Sequence, residues 1–161
     1  MSATIRPATV ADVPAVVTLV RGLAEFEKLP GPDDGAEARF AADLGRGRFQ
    51  LLVAEAAGGA LHAYALYFFT YSTFEARPSL YLEDLFVTPT ARGQGLGERL
   101  MRRLAAEALR SDCARFEWTV LDWNVRAQKF YQSLGAELLD QWRVCRVTGA
   151  ALTRLGGSPG T

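Results

Sequence analysis

Leu80-Tyr81-Leu82-Glu83-Asp84-Leu85-Phe86-Val87-Thr88-Pro89-Thr90-Ala91-Arg92-Gly93-Gln94-Gly95-Leu96-Gly97 is the stretch that decides the fold. It reads as a strand, a tight glycine-rich turn and the start of a helix. Leu80 and Leu82 share one strand face, but the apolar beat resumes at Leu85 and Val87, one residue out of phase. A period-2 element changes parity only by gaining or losing a residue, so the pattern predicts a β-bulge near Glu83-Asp84. Two carboxylates inside an otherwise apolar strand also need a reason, because burying charge is costly.

Downstream, Leu96, Leu100, Leu104 and Ala108 fall on one helical stripe, with Glu98, Arg99, Arg102, Arg103 and Glu107 off it. Glycine lets backbone N–H groups approach a ligand, and a helix N-terminus carries partial positive charge. Glycines at 93, 95 and 97 ahead of that helix are therefore suited to an anion such as a pyrophosphate, the alternative being a helix that merely starts at a glycine turn. No Gly-Lys-Ser/Thr follows, which excludes a Walker loop. The turn also lies past mid-chain, after several strands, where a dinucleotide fingerprint would open the first βα unit.

With 161 residues, the chain reads as one domain spanning 1–155, followed by a disordered tail at 156–161. Hydrophobic residues make up 49% and charged residues 22%, as expected of a soluble globular protein. Eighteen Lys plus Arg balance eighteen Asp plus Glu, which argues against a nucleic-acid partner. No apolar run reaches the roughly 20 residues of a membrane span, and no signal-peptide pattern opens the chain. We therefore expect a cytoplasmic protein with no membrane partner. Cys113 and Cys145 lack metal-ligand spacing and read as buried thiols, and no metal site is expected.

Thr4-Ile5-Arg6 reads as a first strand. Thr9 and Asp12 resemble a capping box ahead of a helix that carries Val13, Val16, Val17, Val20, Leu23 and Ala24. It ends around Phe26-Glu27-Lys28, which places acids at the negative end of the helix dipole and leaves two readings, a solvated helix end and a cation site. A second helix runs from Asp33 or Asp34 to about Leu44. Strands follow at Phe49–Glu55 and Leu61–Tyr71, joined by a turn at Ala57-Gly58-Gly59. Beyond the glycine turn and its helix, a strand is expected at Phe116–Leu121. Asn124 caps a helix closed by Gly135. Closing strands are expected at Glu137–Asp140 and Trp142–Val147, and Thr148 as the cap of a final helical turn. The order is β-α-α-β-β-β-α-β-α-β-β, an α/β sheet with helices on both faces. Ligands in such sheets gather where neighbouring strands part. The default site is the cleft between the ends of the bulged strand and the Phe116–Leu121 strand.

Arg92-x-x-Gly95-x-Gly97 after an apolar strand resembles the acetyl-CoA signature of the GCN5-related N-acetyltransferases (GNAT). Asn124 with Phe130-Tyr131-x-x-x-Gly135 fits the same pattern. Leu23 to Leu29, Tyr71-Ser72-Thr73-Phe74, Tyr81-Leu82-Glu83-Asp84 and Val120 to Asn124 are similar to the diamine (spermidine/spermine) acetyltransferases, most of all to the thialysine N-ε-acetyltransferase branch. The resemblance runs from about Ile5 to Leu155. It implies the acyl-CoA N-acyltransferase fold, a mixed and mostly antiparallel sheet. It also implies acetyl-CoA as cosubstrate, a small basic amine as acceptor and a homodimer whose partner helps to complete the substrate pocket.

Residue by residue, the resemblance implies a cofactor site at Leu85, Phe86, Val87, Arg92, Gly93, Gln94, Gly95, Leu96, Gly97 and Asn124, with Tyr131 beside the sulfur. It implies that Phe26, Glu27, Glu83, Asp84, Asp122, Asp140 and Trp142 line the amine pocket. The sequence departs from the family at Phe74, where Trp is usual, and in a shorter segment between Gly135 and Trp142, which leaves the place of Asp140 open.

A primary amine attacks a thioester only when unprotonated, yet such amines have a pKa of ~10.4. Carboxylates bind the cation and accept its proton through a water. Glu83 is the expected base, Asp84 the partner that orients the ammonium, and Tyr131 the donor to the leaving thiolate. A bulge also frees an amide near Leu85 or Phe86 for a developing oxyanion. A structural ion pair between the carboxylates and Arg77 is the alternative for Glu83-Asp84. For the whole protein the alternatives are a protein or peptide amine acetyltransferase and a non-catalytic CoA-binding module.

Overall fold

The computed structural model describes residues 3–157. Its contacts gather into two compact units, one ending at Thr119 and the other beginning at Val120. The first unit contains β1 (Thr4–Pro7), α1 (Val13–Glu27), α2 (Ala36–Gly45), β2 (Gln50–Glu55), β3 (Leu61–Ser72), β4 (Arg77–Val87), α3 (Leu96–Arg110) and β5 (Arg115–Trp118). The strands lie in sequence order in one sheet. All neighbours are antiparallel except β4 and β5. Short turns join β2 to β3 and β3 to β4, as antiparallel pairing allows. The β4–β5 connection must run back along the sheet, and α3 supplies that crossover.

Local chemistry sets the entry to α1. The Asp12 carboxylate accepts the Thr9 N–H at 2.7 Å, as the capping pattern predicts. It also takes two bonds of 2.8 Å from the Arg6 guanidinium, whose Nε reaches Glu55 at 2.6 Å. One arginine thus ties β1, the helix entry and β2, and it holds the Asp12 carboxyl well below the usual carboxylate range. Val13, Val16, Val17 and Leu19 of α1 are buried. Val16 and Leu19 pack with Leu51, Val53, Tyr64, Leu66 and Phe86 in the core, and Phe40 and Leu44 of α2 lie against that cluster. Leu96, Leu100, Met101, Leu104 and Ala108 form the buried stripe of α3.

The predicted bulge is present. Leu66 pairs with Asp84 and Tyr67 with Leu82, so Glu83 is the extra residue of β4. Cross-strand partners share a sheet face. Leu80, Leu82, Leu85 and Val87 oppose Phe69, Tyr67, Ala65 and Ala63, alternate residues of β3, so the bulge keeps all four on one face. Tyr67, on that face, feels the charges of Glu107, Arg103 and Arg110 of α3. Asp84 and Phe86 fall on the other face with Tyr64 and Leu66, towards α1.

The second unit contains α4 (Val125–Ser133) and α5 (Gly149–Gly157). Here the structure corrects several expectations. Neither Glu137–Asp140 nor Trp142–Val147 is a strand, and Trp142 and Val144 are exposed. Alternation marks a segment as able to pair, but a strand exists only where another strand supplies its ladder bonds, and no described strand does so here. β5 stops at Trp118 instead of Leu121, where its pairing with β4 ends. The final helical turn is a nine-residue helix that includes Gly156 and Gly157, while the rest of the expected tail, 158–161, lies outside the described residues. The two cysteines expected to be buried are not: Cys145 is exposed and Cys113 is half-buried.

Candidate active site

β4 and β5 run together only from Ser79↔Arg115 to Leu82↔Trp118. The next residue along β4 is the bulged Glu83. From Glu83 to Val87 the β4 edge that had faced β5 has no ladder partner among the described residues. The strands therefore part where the two carboxylates stand, and Leu85, Phe86 and Val87 lie on the opened edge. Just beyond, Gly93 (φ 76°) and Gly95 (φ 73°) adopt left-handed backbone that side chains disfavour. A Cβ at either position would meet nothing within 4 Å, so dihedral freedom and not crowding requires glycine. Gly95 precedes α3, whose first helical bond runs from the Arg99 N–H to the Gly95 carbonyl at 3.0 Å. The N–H groups of Leu96, Gly97 and Glu98 come before that bond and end the helix at its positive pole. Gln94 lies in the same turn, its Nε2 3.5 Å from the Thr90 carbonyl. This turn and the opened edge could hold a phosphate-bearing cofactor.

The Arg92 side chain does something that spacing did not reveal. Its Nε donates to the Val87 carbonyl at 3.1 Å, and its guanidinium carbon lies 5.4 Å from the Phe26 ring centre and 5.9 Å from that of Phe86. The cation thus joins the glycine turn to the last turn of α1. Phe26, Phe86 and Arg92 line a cleft of about 320 Å³ with Gly22, Glu25 and Pro89. Gly22 lets the helix close on the sheet, since a Cβ there would lie 3.2 Å from the Phe86 ring.

On the same face, Asp84 accepts a hydrogen bond of 3.2 Å from the hydroxyl of Tyr64. Burial pushes the Asp84 carboxyl up to about 6, with Glu83 and Glu27 adding to the rise and the tyrosine bond opposing it. Burial also raises Glu27. Tyr64 is held well above the ordinary phenol range, by burial first and then by the charge of Asp84. Three carboxylates from α1 and the bulge are therefore electrostatically coupled, an arrangement that a cation would relieve. Arg77 does not neutralise them; its guanidinium lies 3.5 Å from Asp112. Among the described residues no cluster of potential metal ligands occurs.

Thirteen of the expected site residues, Phe26, Glu27, Glu83 to Val87 and Arg92 to Gly97, thus belong to the first unit. The other five belong to the second. Asn124 caps α4, its Oδ1 accepting the Ala127 N–H at 3.2 Å. Asp122 is exposed in the preceding turn, and its carbonyl accepts from Gln128 Nε2 at 2.9 Å. Tyr131 is half-buried on α4, its ring 5.2 Å from that of Phe130. Asp140 and Trp142 stand exposed on irregular chain instead of on strands.

The sequence pattern of the Acetyltransferase (GNAT) family matches residues 19–136. The chain belongs to that family. The thialysine N-ε-acetyltransferase of Mus musculus is 38% identical over 169 residues, spanning 97% of this chain and 98% of that protein. The L-ornithine N5-acetyltransferase of Arabidopsis thaliana is 40% identical over 89 residues, 55% of this chain and 39% of that protein. Among solved structures, an integron cassette protein from the mobile metagenome of V. cholerae superposes with a TM-score of 0.80 at 26% identity, covering 98% of this chain and 99% of that one. This GNAT chain is accordingly an acetyltransferase, and its parted strands, bulge and glycine turn belong to a fold shared with these proteins.

Proposed function

We propose that this acetyltransferase moves an acetyl group from acetyl-CoA to a primary amine of a small basic molecule, of the thialysine, lysine or polyamine kind. One observation carries the proposal. A single strand end bears both the opened backbone edge leading to the glycine turn and the coupled carboxylates Glu83 and Asp84. A carrier with a pyrophosphate fits the residues present, because Gly93 and Gly95 leave open space beside a helix N-terminus. Leu85 to Val87 would hold its pantetheine arm, and Arg92 to Gly97 its pyrophosphate. Acetyl-CoA, when bound, supplies the acetyl group as an activated thioester. In this proposal Asp84 and Glu27 attract and orient the ammonium, and Glu83 accepts its proton through a water. An N–H near Leu85 or Phe86 donates to the oxygen that gains charge. Asn124, and Tyr131 as proton donor to the sulfur, enter on the family motif alone. So do Asp122, Asp140 and Trp142 as pocket residues. No nucleophilic side chain is required, so transfer is direct, within a ternary complex.

The test is release of CoA thiol from acetyl-CoA over a panel of thialysine, lysine, ornithine, putrescine, spermidine and a lysine peptide. Turnover with a small amine and intersecting initial-rate plots are expected. Turnover with the peptide alone would transfer the proposal to protein amines. Binding of CoA without turnover of any acceptor would leave a cofactor-binding module.

A further inference from the structure

Tyr64 had no place in the sequence reading, yet it is the largest side chain with no solvent exposure in the first unit. A buried phenol needs a partner for its hydroxyl. Tyr64 pairs with Phe86 across the β3–β4 ladder, and its hydroxyl reaches diagonally to Asp84 Oδ2 at 3.2 Å. Asp84 Oδ1 has no hydrogen-bond partner among the described residues and is not sealed from solvent. One carboxylate oxygen is therefore held by the protein and the other is left open. The groups facing Asp84 are Tyr64 from β3, Glu83 from the bulge and Glu27 from the end of α1. From the glycine turn, Arg92 stacks on Phe86 and donates to Val87 instead of to Asp84. Tyr64 is thus the neutral donor in a ring of acids.

We infer that Tyr64 is the positioning residue of the amine site: its hydroxyl fixes one oxygen of Asp84, so that the other oxygen is presented as the acceptor for the substrate ammonium. This rests on the proposed small-amine activity. Without the hydroxyl, Asp84 loses a bond that favours its charged form and loses its fixed orientation.

Tyr64→Phe keeps the ring in the core and deletes only the hydroxyl. In the full-length protein labelled with 13C-aspartate, with the Asp84 signal assigned by its loss in Asp84→Asn, the titration midpoint should rise by ~0.5–1 unit in Tyr64→Phe. The KM for the amine should rise roughly fivefold at pH 6 and fall towards, without reaching, the wild-type value at pH 8, because the lost orientation remains when Asp84 is fully charged, while the KM for acetyl-CoA stays unchanged. An unchanged midpoint overturns the inference. So does a rise in both KM values alike, or an amine KM raised equally at every pH, since loosened packing alone would give those results. If Tyr64→Phe does not fold, 3-fluorotyrosine at position 64 supplies a stronger donor, and the midpoint must then move down; a midpoint that stays put also overturns the inference. Absence of wild-type turnover with any small amine would refute the function itself, which is a different failure from wild-type turnover that Tyr64→Phe leaves unaltered.

Discussion

At the scale of single residues, Asp84 carries conflicting demands. Its carboxyl titrates at about 6 in the folded protein, above the ordinary 3.8. The folded state therefore holds the proton more tightly than the unfolded chain. The stability this group contributes is full below about pH 4 and is lost as pH rises through 6. At pH 7.5 the charged Asp84 costs on the order of 1–3 kcal/mol, a cost retained if the site must bind a cation. Asp84→Asn should raise Tm by about 2–6 °C at pH 7.5, raise it less at pH 5, and weaken amine binding at least tenfold; calorimetry and initial rates measure the two effects. Glu83→Gln should lower kcat by about 10²-fold and move the alkaline-rising limb of the pH–rate profile, and an unmoved limb would remove Glu83 as the base. Tyr131→Phe should depress kcat far more than it raises the KM for acetyl-CoA. Near-normal turnover there would show that another group protonates the sulfur.

At the scale of elements, the β4–turn–α3 segment unites three features that each depend on backbone geometry. The bulge keeps the four apolar residues on the α3 side while Asp84 and Phe86 face α1. The early end of β5 opens an edge beside it. The left-handed glycines then carry the chain to the positive pole of a helix. Gly95→Ala tests the last feature cleanly, because the added methyl meets no atom and the penalty is one of backbone conformation, about 1–2 kcal/mol. A Tm drop of a few degrees with an acetyl-CoA KM raised about tenfold or more is expected. A drop in Tm with cofactor affinity intact would separate the turn from cofactor binding.

At the scale of the whole molecule, the second unit leaves Leu139, Trp142, Val144, Leu152 and Leu155 about half exposed or more. So much apolar surface in a short stretch favours a partner. The family resemblance offers a second copy of the chain, and we read residues 1–155 as a single domain within that dimer. Sedimentation should give twice the chain mass. Calorimetry should give one transition whose midpoint climbs with protein concentration. A monomer with a concentration-independent midpoint would refute the dimer, and two separate transitions would refute the single domain.

How much could be read from the letters differs by element, for physical reasons. The bulge was legible because side-chain parity is a property of consecutive residues, and Leu82, Leu85 and Val87 break it in plain view. The α3 stripe and the Asn124 cap were legible because their bonding is local. The closing strands failed because Trp142 to Val147 can state a preference for pairing but cannot supply the strand to pair with. Tyr64 and the inward turn of Arg92 were invisible for a related reason. Twenty residues separate Tyr64 from Asp84, and sixty-six separate Phe26 from Arg92. The sequence alone therefore determined the family, the kinked strand and the glycine turn, all written in short-range pattern. Only the tertiary structure decided which side chains share the carboxylate face, because that depends on ladder register and helix packing, which bring distant residues together.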